Sequence, residues 1–197
     1  MSNSTLAISR PTLADRVITR SVVSDIILVV TGAAFTGILA QISVPLWPVP
    51  ITGQTLAVLL VGSTLGMVRG ALSMLAYALL GVIGVPWFSD ANSGWGVIAG
   101  PTGGYIIGFI VAAALTGWLA QRSLDHKVVG AFVSFMAGTV VVFAIGMTWL
   151  AAVLSLDLAK TLEYGLYPFI IGGIIKALIA AGLIPLAWRF ADRNAQK

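Results

Sequence analysis

The chain has 197 residues, 58% of them hydrophobic and only 9% charged, with a mean hydropathy of +1.01. Soluble domains carry about a quarter charged residues, so this surface cannot be clothed for water and the chain reads as an integral membrane protein. Cysteine is absent and histidine occurs once, which excludes disulfides and thiolate chemistry and argues against a metal site.

The length suits a bundle of about six spans of roughly 20 residues each. Residues 1–25 form a polar lead carrying Arg10, Arg16 and Arg20. That lead is too long and too polar for a signal peptide cleaved near "GILAQ", so it reads as a cytoplasmic N-terminal segment. Span 1 is expected over 26–43. Next comes "VPLWPVPITGQTL" (44–56), in which prolines at 45, 48 and 50 preclude a regular helix and favour an extended course. Irregular backbone cannot face lipid, but it can line a cavity enclosed by protein. The alternative is a stiff loop with no ligand role. Span 2 (54–68) is short for a bilayer, and span 3 follows over 70–86. A long turn-rich connection, "VPWFSDANSGWGVIAGPTGGY", leads into span 4 (101–120). Spans 5 (129–154) and 6 (167–189) complete an all-α membrane domain over 26–190, with 191–197 as a cytoplasmic tail. Lipid leaves backbone groups no water to bond, so all six spans are expected to be helices.

Orientation follows from the Lys and Arg content of the short connections. With the N-terminus inside, Arg10, Arg16, Arg20, Arg69, Arg122, Lys127, Arg189, Arg193 and Lys197 fall on the inner side, against Lys160 alone outside. Both termini are therefore expected in the cytoplasm. The basic pI is a topology signal, and nucleic-acid binding is not expected.

Lys176, in "PFIIGGIIKALIAAG", is the most informative residue. It lies eight positions after Pro168, about 12 Å down a helix at 1.5 Å per residue. A lysine at that depth marks a functional site facing the bundle interior, unless its amine snorkels back to the interface. "GPTGGY" (100–105) opens span 4. Its Gly103 and Gly104 expose backbone N–H groups at a helix start, and Tyr105 adds an aromatic wall and a hydroxyl. Two glycine rows, 62/66/70 and 100/104/108, are read as close helix-packing faces.

Absences matter as much. Every acid lies in a loop, a tail or at a span edge, including Asp15, Asp25, Asp90 and Asp125. No span interior therefore holds the acid of a proton- or sodium-coupled carrier. His126 sits among charges and is expected to be merely solvated. No nucleophile–base pair or paired acids are readable, so no enzyme is expected. There is no G-x-x-x-x-G-K-[ST] for ATP. Such a protein equilibrates its ligand passively or borrows a motor.

Four separated stretches, "PVPITGQTL", "YALLGVIGVPWF", "GPTGGYIIGF" and "PFIIGGIIKALIAA", together resemble the BioY family across nearly the whole chain. These are the biotin-specific substrate-binding (S) components of energy-coupling factor transporters. The resemblance implies a six-helix protein of the cell membrane that captures biotin from outside and needs no cofactor. It also implies a partner module of one transmembrane coupling protein and two ATPases, which drives release inside. Carried over by position, the ligand contacts are Gln54, Gly103, Gly104, Tyr105 and Lys176. Trp47, Trp87, Phe88 and Trp95 join Tyr105 as candidate walls for the fused rings. Ala33 and Gly37 are the nearest equivalent of the family's small-residue face toward the coupling protein. One departure stands out: the family carries a carboxylate three residues before the lysine, whereas this chain has Gly173. Asp90 or Asn92 is the candidate substitute. The competing readings are a solitary or oligomeric biotin transporter, or an S component for another vitamin.

The charge bias makes a direct prediction. Cysteines introduced at Asn92 and Asn194 of this cysteine-free chain should react with impermeant reagents from outside and inside respectively. The reverse pattern would invert the assigned topology.

Overall fold

A computed structural model describes residues 11–195; Arg10 and Lys197 of the basic set lie outside the described residues. The short α1 (Leu13–Val17) is fixed by a reciprocal cap. The Asp15 N–H donates to the Thr12 hydroxyl, and the Thr12 N–H donates back to the Asp15 carboxylate at 2.8 Å. A second such cap, Ser21 with Ser24, starts α2 (Val22–Ala40). The proline-rich stretch then folds as a small hairpin. Its strands β1 (Ser43–Val44) and β2 (Ile51–Thr52) pair antiparallel with Ser43 opposite Thr52, and the prolines fill the connection between them. Helices α3 (Gln54–Leu65), α4 (Met67–Val82), α5 (Trp95–Ala99), α6 (Gly103–Ala120), α7 (Val128–Leu154), α8 (Leu158–Gly165) and α9 (Ile170–Ala195) follow.

Four segments are long and apolar enough to cross a membrane: α2, α6, α7 and the stretch Leu158–Arg193, which takes in most of α9. The chain is thus a multi-pass membrane protein. Expected spans 2 and 3 are present as helices but are short. At 1.5 Å per residue, the 12 residues of α3 and the 16 of α4 reach only about 18 and 24 Å. A hydrocarbon core is about 30 Å thick.

The joint between α3 and α4 is one residue, Gly66, at φ +86°, a left-handed conformation that glycine adopts without a Cβ penalty. The glycine row around it serves packing, as the spacing suggested. A Cβ on Gly62 would lie 2.2 Å from Thr116 Oγ1, and one on Gly70 would lie 2.9 Å from the Gly62 Cα. Small faces of this kind let helices approach without water. The core they enclose includes Val58, Met74, Tyr77, Phe109 and Leu150, while Ile26, Ile27, Val30, Val133, Val140 and Ile175 point outward. Large apolar side chains on the outer surface suit lipid.

One end of the bundle is closed by polar contacts that reading the sequence missed. Arg69, fully buried, donates to Asp25 at 3.1 Å and to Thr12 and Asp15 at 2.8 Å each. Arg20 donates to the other oxygen of Asp15 at 2.8 Å. The acids placed at span edges are thus not bystanders: Asp15 and Asp25 neutralise a buried guanidinium. Close by in the fold, buried Asp125 accepts from Ser63 at 2.7 Å and from the Trp188 indole at 3.1 Å, joining α3 and α9 to the α6–α7 connection. His126 is exposed, as expected, but not merely solvated, because its ring stacks on Trp188 with centroids 4.1 Å apart. These contacts gather α1, the α3–α4 joint and the end of α9 at one end. The hairpin, α5 and α8 lie at the other.

Burial pushes the Asp15 carboxyl up, but hydrogen bonds from Arg20, Thr12 and Arg69 outweigh it and hold the group down at about 2, against an ordinary 3.8. Its folded value is depressed, so its contribution to stability is complete above about pH 4 and vanishes as pH falls toward 2. Arg69→Met would remove the guanidinium from which Asp15 and Asp25 both accept, and breaking a buried ion pair costs about 3–5 kcal/mol. Thermal unfolding in detergent should show that loss at pH 7. Asp15→Asn should flatten the acid limb between pH 4 and 2, and an unchanged limb would remove Asp15 from this role.

Candidate substrate-binding site

At the end opposite the Arg69 knot the irregular segments enclose a cavity of about 400 Å³. Its walls come from the hairpin and the start of α3 (Pro45, Val49, Thr52, Gln54), the 88–92 loop, the α5–α6 junction, and α6, α7 and α9 (Phe109, Phe143, Lys176). The proline segment therefore does what its composition implied: it forms non-helical wall enclosed by protein.

Each wall is held by a specific bond. Tyr105, the third residue of α6, donates its hydroxyl to the Gly165 carbonyl at 2.9 Å, tying α6 to the end of α8. Trp149 of α7 donates to the Gly100 carbonyl at 2.9 Å and so fixes the α5–α6 junction. Thr52 donates to the Gln54 carbonyl oxygen at 2.7 Å, while the Gln54 amide donates to the Tyr77 hydroxyl. Tyr77 in turn donates to the Trp87 carbonyl at 3.2 Å. Hairpin, α3, α4 and the following loop are thereby linked in one chain of hydrogen bonds. Lys176 does not snorkel away; its ammonium lines the cavity and donates to the Thr52 carbonyl. Among the described residues no carboxylate forms an ion pair with it.

The structure brings together Gln54, Asn92, Tyr105, Lys176 and Phe88 on the cavity wall. Gly103, Gly104 and Trp47 are not on that wall. A Cβ on Gly103 would meet the Ile98 carbonyl, and one on Gly104 would sit 2.2 Å from the Trp149 Cβ, so both glycines permit close packing behind the wall. Trp47 is 77% exposed and meets Tyr164 edge-on at 6.0 Å between centroids.

Ala33 and Gly37 require a correction. Ala33 is fully buried, and a Cβ on Gly37 would lie 3.0 Å from the Trp87 side chain. With Gly32, Thr36 and Ala40 they form the inward face of α2, because small side chains there let α4 and the following loop approach. They do not present an exposed face to another chain.

Gln41 was missed. Its amide donates to the carbonyls of Gly37, Trp87 and Phe88 at 3.0–3.3 Å, and its carbonyl accepts from the Ala91 N–H at 3.0 Å. A lone amide ending an apolar span just before the prolines was the available signal.

Fold and site together define a multi-pass membrane protein that encloses a small, mainly apolar pocket with few placed polar groups, the form of a small-molecule-binding membrane component. The chain belongs to the BioY family, whose model matches residues 9–193. It is 39% identical over 167 residues to "Biotin transporter BioY" of Rhizobium etli, covering 80% of this chain and 89% of that one. With "Biotin transporter BioY2" of Lactococcus lactis it shares 36% identity over 152 residues, 77% and 83% of the two chains. Among solved structures it is similar to the S-component for biotin from an ECF-type ABC transporter, determined at 2.1 Å. The TM-score is 0.76 at 27% identity, over 85% of this chain and 92% of that one.

The two helix-start glycines and Gly173 make opposite predictions. Gly104→Ala drives a methyl into Trp149 and should destabilise by about 1–3 kcal/mol, as overpacking does. Gly173→Ala meets nothing nearer than Thr139 at 3.6 Å and should leave unfolding unchanged or raise its midpoint, since alanine is the better helix former. Thermal unfolding of the two variants decides between packing and open space at each position.

Proposed function

We propose that this protein binds biotin at its non-cytoplasmic face and serves as the substrate-binding component of a biotin uptake system. The observation that carries the reading is the pocket itself. Its walls are apolar and aromatic, with one ammonium, one carboxylate and a few amides and hydroxyls placed on them, in a chain of the BioY family. Biotin has the matching chemistry: fused apolar rings, a ureido group and one carboxylate. The family is one of transporters rather than enzymes.

The further reading concerns topology and energy. With α3 and α4 as two short membrane helices beside the four long segments, the bundle has six spans and both termini in the cytoplasm. The support is the basic inner set of Arg16, Arg20, Arg122, Lys127, Arg189 and Arg193 at the end opposite the cavity. The chain carries no ATP-binding loop, and its structural relative is a component of an ECF-type ABC transporter. We therefore assign the driving force to a separate ATP-hydrolysing coupling module.

Denaturing the purified protein and identifying released small molecules by mass spectrometry should yield biotin, and titration should show saturable binding of labelled biotin. Another vitamin in its place would overturn the assignment. In vesicles, concentrative uptake should require the coupling module and ATP. Accumulation by the chain alone would show that no motor is needed.

A further inference from the structure

The charge bias accounts for the sign of the end opposite the cavity, but not for how its cations are arranged. Arg20 and Arg69 are bound by Asp15, Arg69 also by Asp25, and Arg16 lies 3.9 Å from Asp192. Arg122 and Lys127 differ. Both are exposed on the turn that joins α6 to α7, and among the described residues no carboxylate pairs with either. The one acid of that turn, Asp125, is fully buried and accepts from Ser63 and Trp188 inside the bundle. The outward side of the turn therefore carries cations and no acid.

The turn is held in shape. The Arg122 N–H donates to the Leu119 carbonyl at 3.0 Å and the Ser123 N–H to the Ala120 carbonyl at 2.7 Å, while Asp125 anchors it from within. The Arg122 guanidinium lies over the Trp118 ring, 3.6 Å from its centroid. Such stacking steadies the cation through its flat face and leaves its N–H edges to an anion.

Two lipid-facing stripes run into this turn. On α6 the exposed residues Ile107, Val111 and Trp118 are spaced by four and seven, so they share one helix face, and Arg122 follows one turn later. On α7, Val129, Val133 and Val140 repeat the same spacing. The two helices are antiparallel neighbours: a Cβ on Gly108 would meet Val142, and one on Gly138 would meet Thr116. The apolar stripes thus end at Trp118 and Val129, where the cations begin. Tryptophan favours that level, the boundary between hydrocarbon and headgroups.

We propose that the α6–α7 turn binds the phosphate of an anionic phospholipid, with Arg122 and Lys127 as its cations and the two stripes against its acyl chains. A free phosphate would need the cations alone. An acidic protein segment would not need them at the end of two lipid-facing stripes. The site is separate from the cavity, and its assignment does not depend on the biotin reading.

The test uses the full-length protein in mild detergent, mixed with equal amounts of phosphatidylglycerol and phosphatidylcholine, with bound lipid read by native mass spectrometry. Phosphatidylglycerol should be retained in preference and should raise the thermal unfolding midpoint. Phosphatidylcholine and millimolar inorganic phosphate should not raise it. The double variant Arg122→Gln, Lys127→Gln should weaken phosphatidylglycerol binding roughly thirtyfold, as expected for two cations at an anionic surface. Trp118→Leu, which keeps the stripe apolar but removes the stacking, should weaken it about two- to fivefold. Lys160→Gln, an exposed cation on α8 at the other end, should change nothing. Without added lipid the double variant should unfold as the wild type does, since exposed substitutions that break no pairing shift stability little. Equal retention of the two lipids by the wild type overturns the proposal, as does undiminished phosphatidylglycerol binding in the double variant. A midpoint raised equally by inorganic phosphate would make this a small-anion site and overturn the lipid assignment. If the double variant keeps phosphatidylglycerol but loses ATP-driven uptake, the patch serves a protein partner and the proposal falls.

Discussion

A peptide N–H or C=O in lipid has no water to bond, and each one left unpaired costs several kcal/mol. The whole architecture depends on that constraint. Chain that meets lipid must be helical, and irregular chain must be enclosed by other protein. Here the longest non-helical segments, the 43–52 hairpin and the loops flanking α5, collect at one end of the bundle. A cavity lined by irregular backbone can exist only where those segments enclose one another, so the constraint that builds the helices also locates the pocket.

The same dryness divides the buried cations into two kinds. Arg69 is surrounded by Thr12, Asp15 and Asp25, and its Nε–H donates to the Leu65 carbonyl. That guanidinium is compensated within the chain, and its role is to close the bundle where α1, α2 and α4 meet. Among the described residues Lys176 has one carbonyl and no acid. A buried charge with incomplete compensation is expensive to keep, and in a membrane protein it marks a site of use. The contrast between these two residues is one of compensation: acids surround the guanidinium, and a single carbonyl meets the lysine.

Small residues carry the other half of the design. Gly62 and Gly70 bring α3, α4 and α6 within backbone contact, and Gly104 admits Trp149 against α6. On α2 the small face is spent internally, on α4 and on the loop beneath Trp87. A row of small residues is legible in any sequence, but whether it receives a helix of the same chain or of another is not. That is why Ala33 and Gly37 read equally well as a partner face until their neighbours were known.

The sequence by itself determined what depends on composition and local stereochemistry. It established a membrane protein, helices at six places, a proline segment that cannot be helical, and one lysine placed deep in the last span. Those conclusions rest on hydropathy, fixed proline φ and the cost of burying charge, none of which needs long-range contacts. The partners were decided by tertiary structure alone. Arg69 finds Asp15 and Asp25 across 54 and 44 residues, Gln41 reaches the 87–91 loop 46 to 50 residues on, and Lys176 meets Thr52 across 124. Such pairings are set by how whole helices pack, and a hydrogen bond's geometry over a few ångströms leaves no periodic trace along the chain.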